Sequence, residues 1–210
     1  MKTEELINAL AADGVSEPTF LHGIARWLVP ALVLSAMGLI LSLGVREDLL
    51  GSLQNPVSVL RFLISAALGA LALRAAHAYA RPDAGAKVFL PLIAVAVAAG
   101  LLWVWAWVDT PGPSRQMAVV GKTMVSCLVT IPVLSILPLA ALFLVLRGGA
   151  PTSPHRAGIA AGLASGGFAA AIYALHCTED SPLFFVTWYG LAIVIVTVVA
   201  GFLGPRVLRW

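Results

Sequence analysis

The residues best suited to chemistry are two cysteines and the polar stretch around the second of them. His176 precedes Cys177, and Glu179 and Asp180 follow it within three residues. An imidazole, a thiolate and two carboxylates are suitable ligands for a borderline or soft metal ion. With Cys127 as a second thiol, the same residues also suit a redox reaction, because two nearby thiols on the oxidising side of a membrane can close into a disulfide. We therefore treat Cys127 and Cys177 as candidate metal-binding or redox-active cysteines, with His176, Glu179 and Asp180 as auxiliary metal or redox ligands.

A purely structural role for both cysteines fits the same sequence. Cysteine behaves as a small apolar residue in buried positions, and a short polar loop needs charged residues to remain in water. The spacing matches no closed structural zinc site, and two cysteines form at most one disulfide. From the residues alone, a metal-binding or redox role and a purely structural role both remain open for the two cysteines.

The elements that must position these cysteines are strongly apolar. Of the 210 residues, 60% are hydrophobic and 11% are charged, whereas a soluble domain has about 25% charged residues. Six apolar runs are long enough for a bilayer core of about 30 Å. These runs are residues 27–45, 62–80, 88–108, 123–146, 157–175 and 183–203. The sequence predicts an all-α polytopic membrane protein with six transmembrane helices, an N-terminal segment 1–26 and a C-terminal tail 204–210.

The distribution of Lys and Arg residues predicts how the spans are oriented. Nine of the 13 lie on the side of the two termini and four on the opposite side. Because positive residues are retained in the cytoplasm, both termini are predicted to be cytoplasmic. Cys127 and Cys177 then share the extracytoplasmic face. Arg61 and Asp109 also fall at the outer ends of their spans, where we expect them to pair.

Two features within the spans indicate how the helices pack. Pro132 and Pro138 each remove a backbone donor from the fourth span, a defect that membrane helices tolerate when neighbours satisfy the freed carbonyls. Gly158, Gly162 and Gly166 repeat every four residues on the fifth span. Such a stripe of small residues predicts close contact with another helix.

The N-terminal sequence TEELINALAA predicts a short amphipathic helix. Leu6, Ile7 and Leu10 share one helical face, and Glu4 and Glu5 lie in the first turn, where acidic residues favour the helix dipole. A helix this short is marginal alone in water and suits folding on a partner. The alternatives are that it rests on the membrane surface or frays.

Several function classes are disfavoured by the sequence. We find no nucleophile–base motif and no phosphate-binding loop, so an enzyme is not expected. The formal net charge of +3 is spread thinly, which gives no footprint for direct nucleic-acid binding. Few charges fall within the apolar runs, which argues against an ion pathway or proton-coupled pump.

Several stretches together resemble a known family. They are MKTEELINALAADG at the N-terminus, LRGGAPTSPHRAGIAAG from Leu146, YALHCTEDSP at Tyr173–Pro182, the following Trp188-Tyr189, and the closing GPRVLRW. These sequences resemble the NrsF family of negative regulators of sigma-F. That family consists of six-span anti-sigma factors of the bacterial inner membrane, and the likeness runs essentially end to end.

The resemblance implies that the protein holds an extracytoplasmic-function sigma factor at the membrane and releases it under heavy-metal or oxidative stress. By position, it assigns sensing to Cys127 and Cys177 and sigma-factor binding to the N-terminal segment with Glu4, Leu6 and their neighbours. It implies no cofactor beyond a transient heavy-metal ion as inducer. Two other classes remain open, namely a small transporter or export component for a metal or solute, and a scaffold subunit of a membrane complex.

Overall fold

The computed structural model describes residues 3–4, 20–81 and 85–209, and this part of the chain is helical without a strand. In chain order the helices are α1 (Phe20–Ser42), α2 (Leu49–Ser52), α3 (Pro56–Tyr79), α4 (Leu90–Asp109), α5 (Gly112–Val120), α6 (Met124–Arg147), α7 (Pro154–Tyr173) and α8 (Pro182–Val207). Within α1 the segment Ile24–Leu28 is π-helical, and a 3₁₀ turn at Ala86–Phe89 precedes α4. The predicted all-α class is confirmed.

Five segments are long and apolar enough to cross a membrane, one fewer than the six predicted spans. They contain α1, α3, α4, α5 together with α6, and α8. Helix α7 is not among them, although it has 20 residues, as many as α4. The reason is composition, because α7 consists largely of Ala and Gly, and 13 of its residues are buried inside the bundle.

Helix α3 begins earlier than the span predicted from Phe62. Asn55 caps it by accepting a hydrogen bond from the Val57 amide at 2.9 Å, and Pro56 occupies the first turn, where its missing N–H costs nothing. Arg61 therefore lies inside the helix and not before it. Arg61, which the sequence placed at the boundary of a span, is instead buried inside the bundle.

The long helices alternate in direction, so the bundle has two distinct ends. At the first end, Gly23 near the start of α1 lies against Val145 near the end of α6. There Arg147 Nε also donates to the Val207 carbonyl at 2.9 Å, which joins α6 to the last turn of α8. We call this end, where α1 begins and α8 finishes, the tail end. The opposite end, where α6 begins and α7 finishes, is the cysteine end.

Helix α7 lies at the centre because its small residues let neighbouring backbones approach. A Cβ added at Gly162 would lie 2.7 Å from Thr197 Cα of α8, and one at Gly158 would collide with the Ala200 carbonyl oxygen. On the other side, a Cβ at Gly167 would lie 2.6 Å from the Gly69 nitrogen of α3. The predicted packing role of the glycine stripe is confirmed.

One of the two prolines in α6 shows how a freed carbonyl is satisfied. Pro138 has no N–H, so the Leu134 carbonyl four residues earlier loses its helical partner. The Ser35 hydroxyl of α1 donates to that oxygen at 3.0 Å, and Ser35 is only 4% exposed. The hydrogen bond joins α1 to α6 in the interior, as expected where neighbouring helices complete the backbone.

Replacing Gly162 with Leu should destabilise the bundle, because the new side chain meets the α8 backbone and cannot be accommodated by a rotamer change. We expect the free energy of unfolding, measured by denaturant titration in detergent micelles with circular dichroism, to fall by about 2 kcal/mol or more. Gly100→Leu is the control, because nothing lies within 4 Å of its Cβ position on exposed α4. Equal effects of the two substitutions would contradict this packing.

Candidate functional site

Cys127 and Cys177 lie together at the cysteine end of the bundle. Cys127 occupies the first turn of α6, and Cys177 follows the end of α7. Both are free and buried, with 0% and 2% exposure, and they belong to one apolar cluster. Their thiols interact directly, each acting as a hydrogen-bonding neighbour of the other. This arrangement suits disulfide formation and also two-thiolate binding of a soft metal ion.

Aromatic side chains enclose the thiol pair. The rings of Tyr173 and Tyr189 meet edge to face with centroids 5.7 Å apart, and both residues are almost fully buried beside the cysteines. The Tyr189 hydroxyl is a neighbour of the Cys177 thiol, and the Thr123 hydroxyl is a neighbour of the Cys127 thiol. The thiols thus lie in a largely apolar setting in which these two hydroxyl groups are polar neighbours.

A buried arginine fixes the loop that carries Cys177. Arg61, on α3, is 1% exposed and directs its guanidinium at the carbonyl oxygens of the loop after α7. It donates to the Cys177 carbonyl at 3.0 Å, to the Ala174 carbonyl at 3.4 Å and to the Glu179 carbonyl. Charge-assisted hydrogen bonds of this kind are stronger than neutral ones. Arg61 therefore holds the backbone on both sides of the second thiol.

A second arginine reaches the same loop from the end of α1. Arg46 forms paired hydrogen bonds with Asp48 at 2.7 and 2.8 Å and with Asp180 at 3.1 and 3.2 Å. It also donates to the Cys177 carbonyl at 3.3 Å. Ser58 of α3 donates to Asp180 Oδ1 at 2.5 Å. Segments from α1, α3 and the α7–α8 loop thus share one network.

Asp180 is the anionic centre of this network. Burial raises the pKa of its carboxyl, but hydrogen bonds from Arg46 and Ser58 and the positive charges of Arg46 and Arg61 outweigh that effect and leave the pKa below its ordinary value. A carboxyl with a lowered folded-state pKa contributes its full stabilisation above its unfolded pKa, near pH 4. That contribution is lost as the pH falls through the lowered value.

The protonation of Cys177 is biased towards the thiolate. Hydrogen bonding with the Cys127 thiol lowers the pKa of Cys177, and the positive charge of Arg61 acts in the same direction, against the opposing effect of burial. The thiolate is the nucleophilic and metal-binding form of cysteine. Of the two cysteines, Cys177 is therefore the one prepared to react first.

The three auxiliary ligands predicted from sequence have other partners. His176 Nδ1 lies 3.0 Å from the Gly44 carbonyl oxygen, Glu179 Oε1 accepts from the Lys122 amide at 2.7 Å, and Asp180 binds the arginines. Across the described ranges, no group of three or more His, Cys, Asp or Glu side chains is placed to hold a metal ion. The structure brings the two thiols together, and the role of His176, Glu179 and Asp180 as ligands stays a prediction.

The binding of the Cys177 loop by Arg61 and Arg46 was not predicted from the sequence. Arg61 was expected to pair with Asp109, but the ion pair formed by Arg61 is with Asp180, at 3.6 Å. A charged guanidinium inside an apolar helix costs free energy and usually has a defined partner. The position of Arg61 in the sequence could therefore have indicated a specific buried contact. Arg46 gave no such signal, because it stands in a charged turn between spans.

The predicted sigma-binding residues lie almost entirely outside the described part of the chain. Glu4 is helical and exposed. Glu5, Leu6, Ile7 and Leu10 lie outside the described residues. Their assignment to a partner-binding helix stays a prediction.

Replacing Arg61 with Met should release the Cys177 loop, because three carbonyl oxygens lose a buried donor and Asp180 loses one of its cations. We expect faster alkylation of Cys177 by a water-soluble maleimide and a loss of about 3 kcal/mol in unfolding free energy. Arg74→Met, an exposed position on the same helix, should change neither quantity. An unchanged alkylation rate in Arg61→Met would show that the arginine does not hold the loop.

Comparisons with known proteins find matches over nearly the whole chain. The family described as "NrsF: Negative regulator of sigma F" matches residues 9–210. The anti-sigma-F factor NrsF of Caulobacter vibrioides (strain NA1000 / CB15N) is 34% identical, and the probable anti-sigma-F factor NrsF of Azospira oryzae (strain ATCC BAA-33 / DSM 13638 / PS) is 33% identical, each over 100% of both chains. No solved structure matches the chain. With a family match over nearly its full length and two full-length relatives, the chain belongs to the NrsF family of negative regulators of sigma F.

Proposed function

We propose that this protein is a membrane anti-sigma factor that holds an extracytoplasmic-function sigma factor and releases it when Cys127 and Cys177 react with an oxidant or a heavy metal. Family membership supports the anti-sigma role. The observation that carries the sensing role is the direct contact of the only two cysteines of the chain in one buried site. The N-terminal segment enters the bundle at the opposite, tail end.

The proposed topology has six spans in the bacterial inner membrane. Five come from the segments that are apolar enough to cross a bilayer, and α7 is the sixth, because it runs antiparallel to α3 and α8 and packs closely against both. Since α1 begins where α8 finishes, both termini are on one side. The excess of Lys and Arg on that side supports a cytoplasmic position for it and an external position for the cysteine end.

The sensing chemistry follows from two adjacent thiols. An oxidant such as a peroxide removes two electrons and two protons, one S–S bond forms, and the peroxide is reduced to water. A soft divalent ion instead displaces the two thiol protons and binds both thiolates. Either event replaces the contact between the two thiols and changes the position of α6 relative to the α7–α8 loop.

Helix α6 connects the sensor to the tail end. It begins beside Cys127 and ends at Arg147, whose side chain binds the Val207 carbonyl. Pro132 and Pro138 lie inside it, so its middle lacks two backbone donors and bends at low cost. A coupling of about 1–3 kcal/mol between the two ends would change sigma-factor affinity roughly 5- to 150-fold.

No feature of the described structure supports the transporter or scaffold alternative as the buried cysteine pair supports sensing. A transporter for a metal or other ion needs ionisable residues at mid-depth, and the buried arginines Arg46 and Arg61 both lie at the cysteine end, bound to the loop. A scaffold needs a free surface of small residues. The glycine stripe of α7 is already covered by α8.

Replacing both cysteines with Ser should abolish stress-induced release while leaving sigma retention intact, because serine keeps the size of the side chain but neither forms a disulfide nor binds soft metals. The measurement is a sigma-dependent reporter in cells exposed to peroxide or to a heavy-metal salt. We expect at least a tenfold induction in the wild type, in line with the coupling above, and none in the double variant.

Val125→Ala provides the matched control, because Val125 lies in the same turn of α6 but is 63% exposed on the bundle surface. It should respond as the wild type does. Normal induction in the cysteine variant would refute the sensing role and leave the anti-sigma role standing.

Sigma-factor binding is tested at the N-terminal helix. Leu6→Asp with Leu10→Asp should abolish co-purification of the sigma factor with the membrane protein, because the predicted apolar face would carry two carboxylates. Asn8→Asp with Ala12→Asp, which adds the same two carboxylates away from that face, should retain it. If the Leu6 and Leu10 double variant still retained the sigma factor, the binding surface would have to lie elsewhere.

A further inference from the structure

A groove with a volume of about 560 Å³ opens at the tail end of the bundle. It lies between the start of α1, the end of α3 and the end of α6, and both basic and apolar side chains line it. The residues that decide its chemistry are Arg26, Trp27, His77, Arg81 and Val145. None of them belongs to the cysteine site.

The groove is built into the fold. The Phe20 ring stacks on His77 with centroids 4.3 Å apart, which fixes the beginning of α1 against α3. The Ala150 amide donates to the Ala80 carbonyl at 2.9 Å, so the turn after α6 is tied to the last turn of α3. These contacts hold two walls of the groove at a fixed separation.

The charge of the groove is of one sign. Arg26 and Arg81 carry the positive charge, His22 and His77 also line the groove, and no Asp or Glu does so within the described residues. Arg26 lies 5.5 Å from the Trp27 ring, and Arg81 Nη2 lies 3.3 Å from His77 Nε2. Neither arginine forms an ion pair with a described residue. As far as the described residues go, both guanidinium groups are therefore available to an anion.

The rest of the lining defines which anion fits. Leu144 and Val145 provide an aliphatic wall, and Trp27 is 46% exposed beside Arg26. Tryptophan and arginine at the end of a membrane helix mark the level of the lipid headgroups. A phospholipid has both parts that the groove requires, since its phosphodiester pairs with arginine and its acyl chain covers aliphatic side chains.

We propose that this groove binds an anionic phospholipid, with the phosphodiester between Arg26 and Arg81 and the first part of an acyl chain against Leu144 and Val145. The bound lipid fastens the start of α1 to α3 and α6. This proposal is independent of the cysteine chemistry.

The test uses the full-length protein purified in detergent and titrated with phosphatidylglycerol or phosphatidylcholine, with bound lipid counted by native mass spectrometry. We expect preferential retention of phosphatidylglycerol. Arg26→Gln with Arg81→Gln should weaken that retention roughly 30-fold. The control, Arg156→Gln with Arg206→Gln, removes the same charge from exposed positions at the same end and should change retention little.

Three results would overturn the proposal. The first is equal retention of the two lipids, or equal losses in the two double variants when circular dichroism shows that both are folded. The second is displacement of phosphatidylglycerol by inorganic phosphate at the same concentration, which would reduce the groove to a simple anion site. The third is loss of sigma-factor binding in the Arg26 and Arg81 variant with lipid retention unchanged, which would assign the groove to a protein partner.

Discussion

The buried guanidinium of Arg61 is the interaction on which the cysteine end depends. Its donors bind carbonyl oxygens on both sides of Cys177, and its charge lies near Asp180. The side chains of His176 and Glu179 have partners on neighbouring segments, and Arg61 adds buried donors for the backbone carbonyls of the same loop. Because the guanidinium is enclosed by protein, the loop and the second thiol have one defined position against Cys127. Arg46 strengthens the same arrangement from α1.

The small residues of α7 make that enclosure geometrically possible. With glycine facing both α3 and α8, three helix backbones approach within contact distance, which brings Arg61 of α3 directly over the end of α7. Larger side chains at Gly162 or Gly167 would separate the helices and move the guanidinium away from the loop. The glycine stripe and Arg61 thus act together to fix the Cys177 loop, although they lie far apart in the sequence.

Sequence reasoning succeeded where a feature depends on periodicity or on alternating direction. The shared face of Cys127 and Cys177 follows from counting spans, and the packing role of Gly158, Gly162 and Gly166 follows from helical spacing. It failed where a contact depends on tertiary geometry. The pairing of Arg61 with Asp180 instead of Asp109 requires knowing which helices are neighbours. The predicted span at residues 157–175 forms helix α7, but α7 is not among the five segments apolar enough to cross a membrane, because its alanines and glycines are weakly apolar.

The pairing of Cys127 with Cys177 within one chain can be measured by treating the reduced, membrane-embedded protein with a mild thiol oxidant. The remaining thiols are then blocked in acid and the peptides are identified by mass spectrometry. We expect a peptide pair joined by a Cys127–Cys177 disulfide in monomeric protein. Recovery of both cysteines as separately alkylated peptides, or of links only between two chains, would contradict this pairing.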